Sequence, residues 1–405
     1  MKRFLLLFTC LGLLFFLLSC DSNPVEGPLV DSEGVSFNKT LPEGGQQGDI
    51  TPKLSSEGGY LLGLQKGILT LTTFPENNLV DTFPLMQNQL IKEFKWSPEG
   101  DVFAYHTESD LPGESGAIYL SAPGGESNKI ASLESAELGA RQLLWSPCGN
   151  YLSWTKPFSI YNLETRETLV KEDLDHKYSF VRSPLFSDDG SMLAFTLLQE
   201  DGSEDLWVVD TSTGNARQVT ARNDGDYPLY WLDDNNLLVG LGAISTGGGS
   251  VYGTATIDLK TGKVEPLCLT TGKEDRSPQR FYIAKGVSPE QGYFVGETHN
   301  SAGADSKIFL QDLADGKQEI ICEGHHLLQT LWINEDELLL TAGQESIDGS
   351  RSGYQIMKYS KDSGCITLLN SEGEVHLLGI KDKQLYFLEA NQARTHWILH
   401  SIELY

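Results

Sequence analysis

The sequence predicts an all-β chain folded as a β-propeller of eight four-stranded blades, and three observations lead there. One short pattern recurs: Trp96-Ser-Pro-Glu-Gly100 with Val102-Phe-Ala-Tyr105, Trp145-Ser-Pro-Cys-Gly149 with Tyr151-Leu-Ser-Trp154, and Phe186-Ser-Asp-Asp-Gly190 with Met192-Leu-Ala-Phe195. Weaker ungapped copies begin at Leu54, Trp231, Val287, Trp332 and Gly379, so eight copies follow one another at steps of 41 to 56 residues. Finally, no long stretch beyond residue 20 has a helical period; apolar residues alternate or run in short blocks, as in strands covered on one or both faces. A unit copied at this period cannot bury its apolar faces alone and stacks on its neighbours. Seven blades is the alternative, should the weak first or sixth copy be a decoration.

Within each copy, Ser-Pro-x-Gly sets one backbone angle and then admits a positive one, which suits a tight hairpin between an inner strand and a second strand. A third strand follows a variable loop, as in Ala117-Ile-Tyr-Leu120, Ser159-Ile-Tyr161, Asp205-Leu-Trp-Val-Val209, Lys307-Ile-Phe-Leu310 and Tyr354-Gln-Ile-Met357. A second hairpin turns at Pro123-Gly-Gly125, Thr213-Gly214, Thr261-Gly262, Asp315-Gly316 or Ser363-Gly364, and a fourth strand leaves, as in Ala216-Arg-Gln-Val-Thr220. The eighth copy ends the chain at its third strand, Trp397-Ile-Leu-His-Ser-Ile402. An unpaired edge is a liability, and Gly34-Val-Ser-Phe-Asn-Lys-Thr-Leu41 has the composition to close the ring.

Lys2 and Arg3 precede an apolar run over residues 4 to 18, the layout of a signal peptide. The run is shorter than the ~20 residues that span a bilayer. Leu17-Leu18-Ser19-Cys20 resembles a bacterial lipobox, which implies that Cys20 is lipidated and becomes the mature N-terminus; two acyl chains suffice for stable anchoring. Asp21 resembles an inner-membrane retention signal of Gram-negative lipoproteins. The expected organisation is a signal peptide over 1–19, a flexible tether over 20–33 and a propeller over 34–405.

Together, the Trp-Ser-Pro-x-Gly units, Pro184 before Phe186, the Ile-Tyr and Leu-Trp strands and the closing Gln-Val-Thr resemble the repeats of TolB-type (PD40, WD40-like) propellers over roughly residues 50 to 405. The Gly-His and Trp-Asp signatures of WD-repeat proteins are missing. TolB proteins carry a further α/β domain ahead of the propeller, for which the stretch before residue 50 has no room. The resemblance implies a binding module for envelope proteins.

Acidic residues outnumber basic ones 56 to 30, for a net charge of −26, and loss of Lys2 and Arg3 on cleavage would make it −28. Such a balance disfavours nucleic acid and anionic headgroups, which need a basic face. Asp188-Asp189, Asp233-Asp234 and Glu335-Asp-Glu337 fall in hairpin turns and read as solvated turn residues, since calcium needs several converging oxygens. Cys148, Cys268, Cys322 and Cys365 fall in different copies and read as free thiols. No Cys-x-x-Cys pair suggests zinc, haem or redox chemistry, and neither cofactor nor metal is expected.

Catalytic motifs are absent. There is no Gly-x-Ser-x-Gly elbow, against a prolyl-oligopeptidase-type hydrolase. Gly247-Gly-Gly-Ser250 precedes no helix, and Ser187-Asp-Asp-Gly190 has the wrong spacing for a sialidase Asp-box. The long connections, over 107–116, 242–250, 269–285, 298–306 and 343–353, share one face, and long loops on a rigid scaffold are where binding resides. The candidate contacts at that mouth are Arg141, Arg182, Asp226, Tyr227, Arg280, His326, Gln329 and His376. The leading expectation is a non-catalytic, membrane-tethered module in the bacterial envelope, on the extracytoplasmic side, binding a protein or peptide. The alternatives are a hydrolase or lyase acting on peptide or carbohydrate at the channel mouth, and an assembly scaffold with a broad apolar face.

Overall fold

The computed structural model describes residues 30–38, 50–83, 85, 89–109, 111, 115–133, 142–155, 157–170, 178–199, 204–221, 226–245, 250–270, 281–299, 306–345, 351–391 and 395–404. The expected signal segment, Cys20, Arg141 and Arg280 lie outside them. The described residues form eight four-stranded antiparallel sheets, each in sequence order from an inner to an outer strand except the last. The inner strands of blades 1 to 8 are Lys53–Leu54, Gln89–Trp96, Leu143–Trp145, Tyr178–Phe186, Tyr227–Asp233, Phe281–Val287, His326–Trp332 and Val375–Lys381. Each holds one copy of the repeat. No helix among the described residues is long and apolar enough to cross a membrane.

The eighth blade joins the two ends of the chain. Val375–Lys381, Gln384–Ala390 and His396–Glu403 supply three strands, and Val30–Asn38 pairs antiparallel with the last of them. Phe37 lies opposite Trp397 and Val30 opposite Ser401, with a register shift between Asp31 and Ser36. On the other side, Leu388, Trp397 and Leu399 of blade 8 pack with Leu61 and Phe74 of blade 1, and Lys381 Nζ donates to the carbonyls of Gly58 and Phe74 at 3.1 and 3.2 Å. The ring is therefore closed by main-chain bonds as well as by apolar packing.

The repeat residues have structural work at each seam. Ser97, Ser146, Ser187 and Ser288 each accept, on Oγ, the N–H that opens the second strand, at 2.9 to 3.2 Å. Their carbonyls accept the N–H of the residue three further on, which holds a positive φ: +75° at Gly100, +74° at Gly190, and +59° where Gln291 replaces glycine. The tryptophan reaches backward. Nε1 of Trp96, Trp145 and Trp231 donates to the carbonyls of Lys53, Lys95 and Leu185, each the residue just ahead of the preceding blade's copy, at 3.0 to 3.2 Å. One aromatic thus seals a seam by area and fixes the stagger of adjacent inner strands by a hydrogen bond.

Between blades the core is divided into one apolar cluster per seam. Leu62, Leu64, Leu69 and Leu71 of blade 1 meet Ile91, Phe94 and Phe103 of blade 2, and Ala104, Ile118 and Leu133 of blade 2 meet Leu143, Leu152 and Trp154 of blade 3. Each fully buried Leu or Phe is worth about 1.5–3 kcal/mol relative to exposure, so no blade is stable without its neighbours. The turn carboxylates serve the turns: Asp189 accepts from Ser187 and Ser191, Asp210 from Ser212 and Thr213, and Asp233 from Asn235 and Asn236. Cys148, Cys322 and Cys365 form no disulfide among the described residues, and the side chain of Cys268 lies outside them.

Candidate functional site

An antiparallel blade sends its outer-to-inner and second-to-third connections to one rim, and its two hairpin turns to the other. The second rim is closed by the short, internally bonded turns described above. The inner strands begin at the first rim, and polar groups along the inner and second strands are tied to the next blade. Glu93 Oε2 accepts the Leu143 N–H at 2.8 Å, while Lys95 Nζ, 3.1 Å from Glu93 Oε1, donates to the Leu143 carbonyl at 2.6 Å. Gln329 does both with one amide: Oε1 accepts the Leu377 N–H at 2.8 Å and Nε2 donates to the Leu377 carbonyl at 2.9 Å. Thr196 Oγ1 donates to the Asp226 carbonyl at 2.7 Å. These side chains extend the sheet ladders across the seams.

The sequence-predicted residues fall in two groups around the ring of blades. Arg182, exposed on the inner strand of blade 4, pairs with Glu204 at 2.7 Å. Asp226 and Tyr227 start blade 5; Asp226 is buried, and the Tyr227 ring fills the space over Gly240, its partner in the ladder. Burial pushes the Tyr227 hydroxyl pKa up. Two blades on, His326 and Gln329 share the inner strand of blade 7, and Gln329 grips the residue next to His376, whose ring lies 6.3 Å from that of Trp397. The two groups are not brought together.

Two residues that sequence reasoning missed join His326. Glu297, on the second strand of blade 6, meets His326 Nδ1 through Oε1, and its Oε2 accepts the Leu327 N–H at 3.1 Å. Ser306 Oγ lies 2.8 Å from His326 Nε2. Carboxylate, imidazole and hydroxyl in series resemble the parts of a nucleophilic site. Two facts argue otherwise. All three are buried, at 3%, 7% and 2% exposure, and Ser306 Oγ is also 3.4 Å from Nδ1. The ring nitrogens flank Cε1, so an oxygen near both sits beside the ring rather than in line with either lone pair. The cluster instead locks blade 6 to blade 7. Among the described residues no group of three His, Cys, Asp or Glu is arranged to hold a metal ion.

No protein-family model matches the sequence, and no curated protein matches it. Among solved structures, prolyl oligopeptidase B from Galerina marginata matches with a TM-score of 0.55 at 15% identity, covering 85% of this chain and 55% of that one. An oligogalacturonate lyase from Vibrio parahaemolyticus matches with a TM-score of 0.50 at 10% identity, over 93% of this chain and 98% of that one. TolB from Acinetobacter baumannii matches at 15% identity over 75% of this chain and 76% of that one, with a TM-score of 0.40 that carries no argument. At such identities the likeness shows the propeller fold alone, and the chain spans about 55% of the oligopeptidase's length.

Proposed function

We propose that this chain is a lipid-anchored, TolB-like propeller on the extracytoplasmic side of a bacterial membrane, the inner membrane if the cell is Gram-negative. There it binds a protein or peptide of the envelope without catalysing a reaction. The binding reading rests on the connection lengths in the sequence, long between outer and inner and between second and third strands and short at the two hairpins, with most residues of the long ones outside the described residues, and on the inter-blade hydrogen bonds of Glu93, Gln329, Glu297 and Thr196. A preorganised scaffold lowers the entropic cost of association. Arg182, Tyr227, Gln329 and His376, with Arg141 and Arg280, are the proposed contacts; Asp226 and His326 are buried at the base of this surface. The anchoring part rests on Leu17-Leu18-Ser19-Cys20, and the class of partner on the TolB-like repeats.

The test is photo-crosslinking in intact cells from positions 141, 182 and 280, with positions 100 and 149 on the opposite rim as controls. Capture of one envelope protein from the first set alone, and incorporation of labelled palmitate that Cys20→Ser abolishes, are the expected results. Turnover of peptides or oligosaccharides by the purified chain, with no protein captured, would overturn the binding reading. Unlabelled wild-type chain would overturn the anchor.

A further inference from the structure

The seam between blades 1 and 2 opens into a cleft of about 320 Å³ that runs from Leu85, Gln89 and Thr107 at the first rim to Gly125–Ser127 at the outer hairpin of blade 2. One wall is the outer strand of blade 1, Leu79–Phe83, carrying Asp81; the other is blade 2, with Tyr105, Tyr119 and the turn residue Glu126. The Tyr105 and Tyr119 rings stack at 4.9 Å with an interplanar angle of 11°, and Phe83 leans on Tyr105 at 6.3 Å. Ser127 lines the cleft beside the Tyr105 hydroxyl. The lining thus joins two carboxylates on facing walls to an aromatic stack, and no Lys, Arg or His is among the lining residues. One Asp81 oxygen accepts the Thr82 N–H at 2.7 Å, and no ion pair of Asp81 or Glu126 occurs among the described residues.

Elsewhere along the chain, carboxylates near the core have partners: Glu93 has Lys95, Glu297 has His326, and Glu337 has Lys358. This cleft supplies the electron-rich ring faces and the negative charges that a cation requires, without the cation. We infer that the cleft between blades 1 and 2 binds a cationic amine or guanidinium group, held by Asp81 and Glu126 over the Tyr105–Tyr119 stack. Its volume, at the low end of the ~300–1,000 Å³ typical of small-molecule sites, suits one Lys or Arg side chain or a short polyamine. Leu79 and Val80, 64% and 39% exposed on the adjoining edge strand, extend the cleft with apolar surface and unpaired main chain. An extended peptide could add along that edge while its basic residue enters the cleft. The two sources of the same chemistry are separated by the test.

Titration calorimetry of the full chain in detergent uses three probes: spermidine, a capped apolar peptide with one central arginine, and a neutral oligosaccharide. Saturable binding of spermidine or the peptide is expected. Glu126→Gln and Asp81→Asn should each weaken it about fivefold or more, and Tyr119→Leu about three- to tenfold. Tighter binding of the peptide, reduced by Val80→Lys, assigns a peptide source; equal affinity for spermidine assigns a free amine. Glu126 sits exposed in a turn, so Glu126→Gln retains the fold, and an unchanged urea midpoint verifies it. Absence of saturable binding by both cations, affinity indifferent to both carboxylate substitutions, or displacement by the neutral oligosaccharide would each overturn the assignment. None of the residues that line this cleft is among the contacts proposed at the mouth, so failure to capture a partner there leaves this result intact.

Discussion

Replacing Gly190 by alanine tests how the seams are built. At φ +74° an alanine incurs the left-handed cost of about 1–2 kcal/mol. Its Cβ would also stand 2.5 Å from Cys148 Sγ and 3.1 Å from Ser146 Cβ, both on the hairpin of the preceding blade. Overpacking of this kind typically adds 1–3 kcal/mol, so Gly190→Ala should cost about 3 kcal/mol in all. Gly149 is the matched control: its φ is +73°, yet the nearest atom to an added Cβ is Pro98 Cδ at 4.0 Å. Gly149→Ala should therefore cost only the backbone part, about 1–2 kcal/mol. Urea unfolding followed by tryptophan fluorescence gives both values, provided the m-value is constant. Adding Cys148→Ala to Gly190→Ala should restore about 1 kcal/mol, because the sulfur is removed while Ser146 stays. Equal losses for the two glycines, or no recovery in the double variant, would refute the view that adjacent hairpins bear on one another.

Other outcomes follow from the same contacts. Trp145→Phe loses ring volume and the hydrogen bond to Lys95, about 2–3 kcal/mol. Trp332→Phe should cost less by about 1 kcal/mol, because the Trp332 indole N–H has no partner among the described residues; equal losses in urea melts would contradict the role given to the indole bond. Hydroxyl and backbone donors hold Asp189 and Asp210 below the ordinary carboxylate pKa. Their contribution is present above about pH 4 and lost as pH falls through the lower folded values, so Asp210→Asn should flatten the acid limb of the urea midpoint against pH. Burial, with Glu319 nearby, pushes Tyr359 up to about 12. The stabilisation is complete below about pH 10 and is lost as pH rises toward that value; an alkaline limb unchanged in Tyr359→Phe would contradict it.

Much of the architecture was legible because the repeat chemistry is local. Ser-x-x-Gly is a hairpin whatever surrounds it, and the composition of residues 34 to 41 suggested the closing strand that pairs with His396–Glu403. Blade 6 was harder: its copy has Val287 for the aromatic and Gln291 for the glycine, and only spacing revealed it. The mouth was legible as a place but not as a set of contacts. Gln329 grips Leu377, which is 48 residues away, a relation that exists only once the ring has formed. Glu297 follows Val287 at the same spacing as Thr196 follows Phe186, and both tie their blade to the next. That alignment of polar residues at the end of the second strand was the one signal that could have found it. The cleft between blades 1 and 2 had none, since Asp81 and Glu126 belong to different copies and face each other only across a seam.

Closure of the ring by the two chain ends is tested most directly by cysteines placed at partnered positions. Ser36 and Ile398 are paired across the closing strands, so the double variant Ser36→Cys with Ile398→Cys should form an intramolecular disulfide under mild oxidation. Peptide mapping would identify it, while Phe37→Cys with Ile398→Cys, out of register by one residue, should form little. A chain in which neither pair crosslinks, or the slipped pair crosslinks as well as the partnered one, would contradict a closed eight-bladed ring.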